Sequence, residues 1–193
     1  MKNTLLEFIP FEHKNVDYIN RSLELARQQR QSGSIEDFMA SAVIYANLAE
    51  YLARNLLENL QQMFYLLSYK SFNGIYFIKN KSAKKNPKML GQIADSLSIY
   101  EFPDCSAFIE LIRKFSEARA ILFHKLLTEE GDTKEFDEKI GELHSMAEEI
   151  LDKYNSITQG IGNQWYAYVN NYFAQNVEQQ NRTEYKSKQK GDK

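Results

Sequence analysis

Arg119 and His124 are the two residues whose types and spacing point most directly to chemistry. They stand five positions apart in the segment Glu117–Lys125. Histidine titrates near neutral pH and can act as a general base or acid. Arginine stays charged and can grip a phosphate with two donors. Together the two side chains have the chemistry needed to cleave RNA without a metal ion.

Both residues also have plain structural interpretations. Arg119 can form an ion pair with Glu117, or with Glu50 or Glu58 on a neighbouring helix. His124 can be a helix-terminal residue that the macrodipole favours. Five steps along a helix turn the chain through about 140° beyond a full turn, so the two side chains do not share a stripe. The spacing leaves the catalytic and the structural interpretations both open.

Two further groups of polar residues are candidates for supporting roles. The first lies among apolar neighbours on a long predicted helix and can orient a catalytic cleft or simply stabilise its own helix. Its members are Asn47, Glu50 and Arg54. The second is a lysine-rich segment that can bind RNA phosphates or remain a solvated loop. Its members are Lys79, Lys81, Lys84 and Lys85.

Composition excludes most other chemistry. The chain of 193 residues has one cysteine and three histidines, which are too few and too scattered for a zinc cluster. It has no glycine-rich phosphate loop, so we expect neither a cofactor nor a metal site. No run approaches the roughly 20 apolar residues that a membrane span needs. We therefore expect a soluble, cytoplasmic protein with no membrane partner.

The scarcity of glycine and proline and the helical spacing of the apolar residues determine the expected fold. With eight glycines and three prolines, the chain favours long helices. We predict an all-α, antiparallel up-and-down helical bundle in one domain, 1–178. The predicted parts are helices at about 14–31, 35–69, 104–127 and 133–155, a short helix after 88, an aromatic C-terminal helix at about 160–178 beyond a break at Gly160 and Gly162, and a disordered basic tail at 179–193.

An Arg-x4-His pair near the end of a late helix resembles the R-x(4–6)-H motif of the HEPN superfamily, which are small helical bundles. The resemblance covers roughly residues 14–155. It implies a metal-independent endoribonuclease acting as a homodimer on RNA, with Arg119 and His124 as catalytic residues. It also implies a toxin or antiphage-defence role, with a separate inhibitor or antitoxin protein. Ala120 stands where active members usually have a polar residue, so the alternative is a non-catalytic interaction or nucleotide- or RNA-binding module.

Overall fold

A computed structural model describes residues 10–11, 16–32, 34–71, 89–128 and 132–190. All regular elements in these ranges are α-helices, which confirms the predicted all-α bundle. The helices are α1 (Val16–Ser32), α2 (Ile35–Ser71), α3 (Leu90–Leu97), α4 (Cys105–Thr128) and α5 (Thr133–Lys190). None of the helices in these ranges is long and apolar enough to cross a membrane.

Side-chain caps begin two of the long helices. The Ser34 hydroxyl accepts a hydrogen bond from the Asp37 backbone N–H at 3.1 Å, ahead of α2. Asp132 accepts one from the Glu135 backbone N–H at 2.8 Å, ahead of α5. Each cap satisfies a backbone donor that the first helical turn leaves unpaired. The two connections that end at these caps are short, so each turns the chain back on itself.

Helix α2 is the centre of the bundle and packs against each of the other four helices. Apolar residues cover a wide arc of α2, and a helix of this kind must be covered on several sides. Its buried residues include Tyr45, Leu48, Leu52 and Leu56, none of which is more than 1% exposed. The apolar face that the sequence predicts for this helix is therefore the core of the protein.

Interhelical contacts establish the directions of the helices. In the α1–α2 hairpin, the Ser41 hydroxyl donates to the Ala26 carbonyl at 2.9 Å. Helices α2 and α5 run parallel, because Tyr45 contacts His144 and Asn55 contacts Tyr154, with 99 positions between the partners in both cases. Helix α4 returns antiparallel to α5. The bundle is thus up-and-down along the chain, with a parallel pair, α2 and α5, packed side by side.

The C-terminal third of the chain differs from the prediction. Helix α5 continues without interruption for 58 residues, through Gly160 and Gly162 and on to Lys190. A buried stripe spans the expected break, with Ile157, Ile161, Trp165 and Val169 each at most 5% exposed. Burial of these side chains exceeds the roughly 1 kcal/mol that a glycine costs inside a helix. The sequence from 163 to 190 contains no glycine or proline. The backbone is helical up to residue 190, whereas the sequence analysis predicted disorder from 179.

The two glycines provide a test of this continuity. Nothing lies within 4 Å of a Cβ added at Gly160 or Gly162. We expect Gly160→Ala and Gly162→Ala each to raise the free energy of unfolding by about 0.5–1 kcal/mol, because alanine loses less backbone entropy in a helix. Urea unfolding followed by circular dichroism measures the change. A lower stability in both variants would mean that the helix breaks there.

Candidate functional site

Helix α4 carries the predicted catalytic pair and is packed on the core through buried side chains. Phe115 and Leu122 are at most 1% exposed and attach the helix to the core. Arg119 lies between them in sequence and is partly buried at the edge of that face. His124, near the C-terminal end of the helix, is exposed. Helix α4 therefore places Arg119 at the edge of the core and His124 in contact with solvent.

The pair does not meet within one chain. On an ideal helix the two side chains point about 140° apart. Among the described residues, no hydrogen bond or ion pair joins either side chain to the other or to a third residue. The ion pairs expected in the structural interpretation of Arg119 do not form within the described ranges either. Glu50 instead pairs with Arg54 at 2.7 Å, which leaves Arg119 uncommitted to a carboxylate in that part of the chain.

His124 shares its side of α4 with two small or apolar residues. Ala120 and Ile121 stand four and three positions before it and are both exposed. Ile121 is 55% exposed, which is unusual for a large apolar residue. We call Ala120, Ile121 and His124 the outer face of α4. Its character is apolar with one imidazole at its end.

The predicted supporting residues have contacts of their own on α2 or face solvent. Asn47 is exposed, and Glu50 and Arg54 pair with each other on their own helix. Among the described residues, no hydrogen bond or ion pair joins them to Arg119 or His124. The Glu50–Arg54 pair is the i,i+4 contact expected of the helix-stabilising role. Lys79, Lys81, Lys84 and Lys85 lie outside the described residues.

A second polar group, which the sequence did not single out as a site, lies between α1 and α5. The hydroxyl of buried Tyr45 is 2.5 Å from Nδ1 of His144, and their rings meet edge to face. On the other side of the imidazole, Nε2 lies 3.6 Å from Glu148. Glu148 in turn forms an ion pair with Arg27 of α1. Four side chains from three helices thus form one continuous polar row.

Burial governs the proton affinities in this row. It lowers the pKa of His144, with Arg30 and Arg27 lowering it further and Glu148 opposing them. Burial likewise raises the pKa of Tyr45. At neutral pH the imidazole is therefore uncharged, and the phenol keeps its proton. One signal for this pairing was present in the sequence, since a tyrosine on a core-facing stripe needs a partner for its hydroxyl.

The lowered pKa of His144 predicts a pH-dependent stability. The unfolded imidazole, with a pKa of about 6.5, binds a proton more readily than the folded one. The contribution to stability is therefore complete above about pH 6.5 and is lost as the pH falls from there through the folded pKa. We expect His144→Gln, whose side-chain amide can still pair with Tyr45, to lose less stability than wild type between about pH 7.5 and pH 5.5. Urea midpoints at both pH values test this, and parallel losses in the two proteins would contradict it.

Taken together, the described residues offer two separate polar arrangements on the same bundle. One is the Arg119 and His124 pair on α4, and the other is the Tyr45–His144 row between α1 and α5. Within the described ranges, no group of three or more histidine, cysteine, aspartate or glutamate side chains is placed to hold a metal ion. No family model, no curated protein and no solved structure matches this chain.

Proposed function

We propose that this chain is a metal-independent endoribonuclease of HEPN type that works as a homodimer. The observation that carries the proposal is the placement of the Arg-x4-His pair on α4. His124 is exposed, and Arg119 lies at the rim of the core with no carboxylate partner among the described residues. Since neither side chain has a hydrogen-bond or ion-pair partner in the described ranges, both are available there for a phosphate ligand.

The two groups have complementary tasks in RNA cleavage. A base removes the proton of the ribose 2′-hydroxyl, whose oxygen attacks phosphorus, and an acid protonates the 5′-oxygen as the P–O5′ bond breaks. The products are a 2′,3′-cyclic phosphate and a 5′-hydroxyl. His124 serves as acid or base, and Arg119 stabilises the charge on the phosphorane oxygens. No electrons or further reactants are needed.

A single chain supplies one imidazole from this segment, whereas the reaction uses both an acid and a base. A two-fold dimer repeats the same surface on both partners. If the outer face of α4 packs against its own copy, Ile121 is covered and the two His124 side chains approach one cleft. The exposure of Ile121, at 55%, supports an interface here because burying an isoleucine side chain contributes about 1.5–3 kcal/mol.

The biological setting follows from the resemblance. A cytoplasmic RNA-cleaving toxin or antiphage-defence component would be held inactive by a separate inhibitor protein. The same outer face of α4 would be a natural target for that inhibitor, because covering it blocks both the interface and His124. The alternative function is a non-catalytic HEPN-like interaction module, which Ala120 next to Arg119 favours.

Loss of either catalytic group should abolish RNA cleavage. We expect His124→Ala and Arg119→Ala to slow cleavage by at least about 100-fold, the usual contribution of a positioned acid–base group or phosphate-binding cation. Lys114→Ala is the matched control, because it removes an exposed cation from the same helix. Cleavage of total RNA by the purified proteins, and growth arrest on expression, are the measurements. Intact RNA at high wild-type concentration without inhibitor would exclude the nuclease and leave the interaction module.

The dimer interface has its own test. We expect Ile121→Asp to dissociate the dimer and to reduce cleavage, because a desolvated carboxylate opposes its own copy across the two-fold axis. Ile99→Asp is the control, since Ile99 is 80% exposed and lies on the connection between α3 and α4. Sedimentation velocity reports the oligomeric state. A dimer that persists in Ile121→Asp would place the interface elsewhere.

A further inference from the structure

A solvent-open cleft lies where α1, α2 and α5 meet. Its volume is about 330 Å³. We call it the α1–α5 cleft, and its lining residues are Arg27, Arg30, Gln31, Tyr45, Asp137 and His144. Neither Arg119 nor His124 lines it. A ligand in this cleft would therefore bind away from the two residues proposed to cleave RNA on α4.

Hydrogen-bond donors dominate the walls of the cleft. Arg30 contacts Asp137 through Nε alone, at 3.3 Å, and Arg27 contacts Glu148 through one terminal nitrogen. Because a guanidinium carries five N–H donors, each arginine keeps further N–H groups for a ligand. The Gln31 amide and the one N–H of the neutral His144 imidazole add to these.

Arg30 lies close to Gly141 of α5. Its Nη2 is 2.9 Å from the point that a Cβ at residue 141 would occupy. The guanidinium therefore lies against the backbone of α5, at the mouth of the cleft and one turn before His144.

The carboxylates that face these arginines are weak competitors. The side chains of both ion pairs are between 33% and 54% exposed, and exposed pairs contribute about 0–1 kcal/mol. A phosphate dianion can accept several charge-assisted hydrogen bonds from two guanidinium groups at once. Because a single contact engages each guanidinium, the present pairs leave N–H donors for an oxyanion.

We propose that the α1–α5 cleft binds a phosphate monoester, with Arg27 and Arg30 holding the phosphate oxygens beside the His144 imidazole. The volume exceeds what a phosphate alone fills and lies within the range of small-molecule sites. The group attached to the phosphate therefore also enters the cleft. A free nucleotide and the 5′-phosphorylated end of an RNA chain both present this chemistry.

An arginine variant tests the site directly. We expect Arg30→Gln to weaken binding about tenfold, because it removes a charged donor that would hold the phosphate. Gly160→Ala, on α5 where nothing lies within 4 Å of an added Cβ, is the control and should leave binding unchanged. Thermal melting of each variant confirms that the bundle is folded.

The binding itself is measured with adenosine monophosphate and inorganic phosphate. Calorimetry gives the affinity, and the ring proton signals of His144 in NMR spectra report whether the ligand enters this cleft. We expect a wild-type Kd of about 1 mM or tighter for adenosine monophosphate, accompanied by a rise in the pKa of His144 as the anion approaches. No shift of the His144 signals, or equal binding by Arg30→Gln and wild type, would overturn the proposal.

Oligonucleotides distinguish the two sources of the phosphate. A 5′-phosphorylated oligoribonucleotide that binds more tightly than adenosine monophosphate identifies an RNA end as the ligand, and the reverse order identifies a nucleotide. Equal binding of the 5′-hydroxyl oligonucleotide, with the same shift of the His144 signals, would show contact of the cleft with the phosphodiester backbone and refute a monoester site. Adenosine monophosphate has no phosphodiester bond for the cleavage proposed on α4, so its binding to the cleft is tested independently of the nuclease proposal.

Discussion

The side-by-side packing of α2 and α5 is the constraint from which the other arrangements follow. Both are long helices, and together they bury tyrosines whose hydroxyls need polar partners. Tyr45 finds His144, and Tyr154 donates to the Asn55 side chain at 2.6 Å. Because both contacts join residues 99 positions apart, they fix the same register between α2 and α5. Helix α1 is then placed on the pair by its hairpin with α2, and α4 by its hairpin with α5.

Much of the bundle could be predicted from the sequence because the relevant signals are local. Ser34 and Asp132 cap helices within three residues of their own positions. The apolar stripe of α2, which includes Leu48 and Leu52, has the period of a helix and is buried. The break expected at Gly160 and Gly162 is wrong for a tertiary reason. Burial of Trp165 and Val169 against Leu66 supports the helix beyond the glycines, and no local rule reports that contact.

The polar sites were less accessible to sequence reasoning, because they depend on register between helices far apart in the chain. Arg119 and His124 are close in sequence, so a motif could single them out, although no hydrogen bond or ion pair joins the two side chains in the described part of the chain. His144 showed the opposite behaviour. Its partner Tyr45 is 99 positions away, and the neighbouring Glu148 pairs with Arg27 over 121 positions, so only the folded bundle brings these groups together. Glu50 and Arg54 pair with each other at four positions' spacing, which is a local contact that the sequence could indicate.

The parallel arrangement of α2 and α5 also bears on how the chain folds. The hairpins α1–α2 and α4–α5 close through short connections, so their contacts cost little loop entropy and can form early. The contacts between α2 and α5 join residues 99 positions apart, and they cannot form until the intervening chain has returned along the bundle. Since non-local contacts slow folding, docking of two preformed hairpins is the expected late step. The Tyr45–His144 contact belongs to that step, so the α1–α5 cleft exists only once the two halves of the chain have joined.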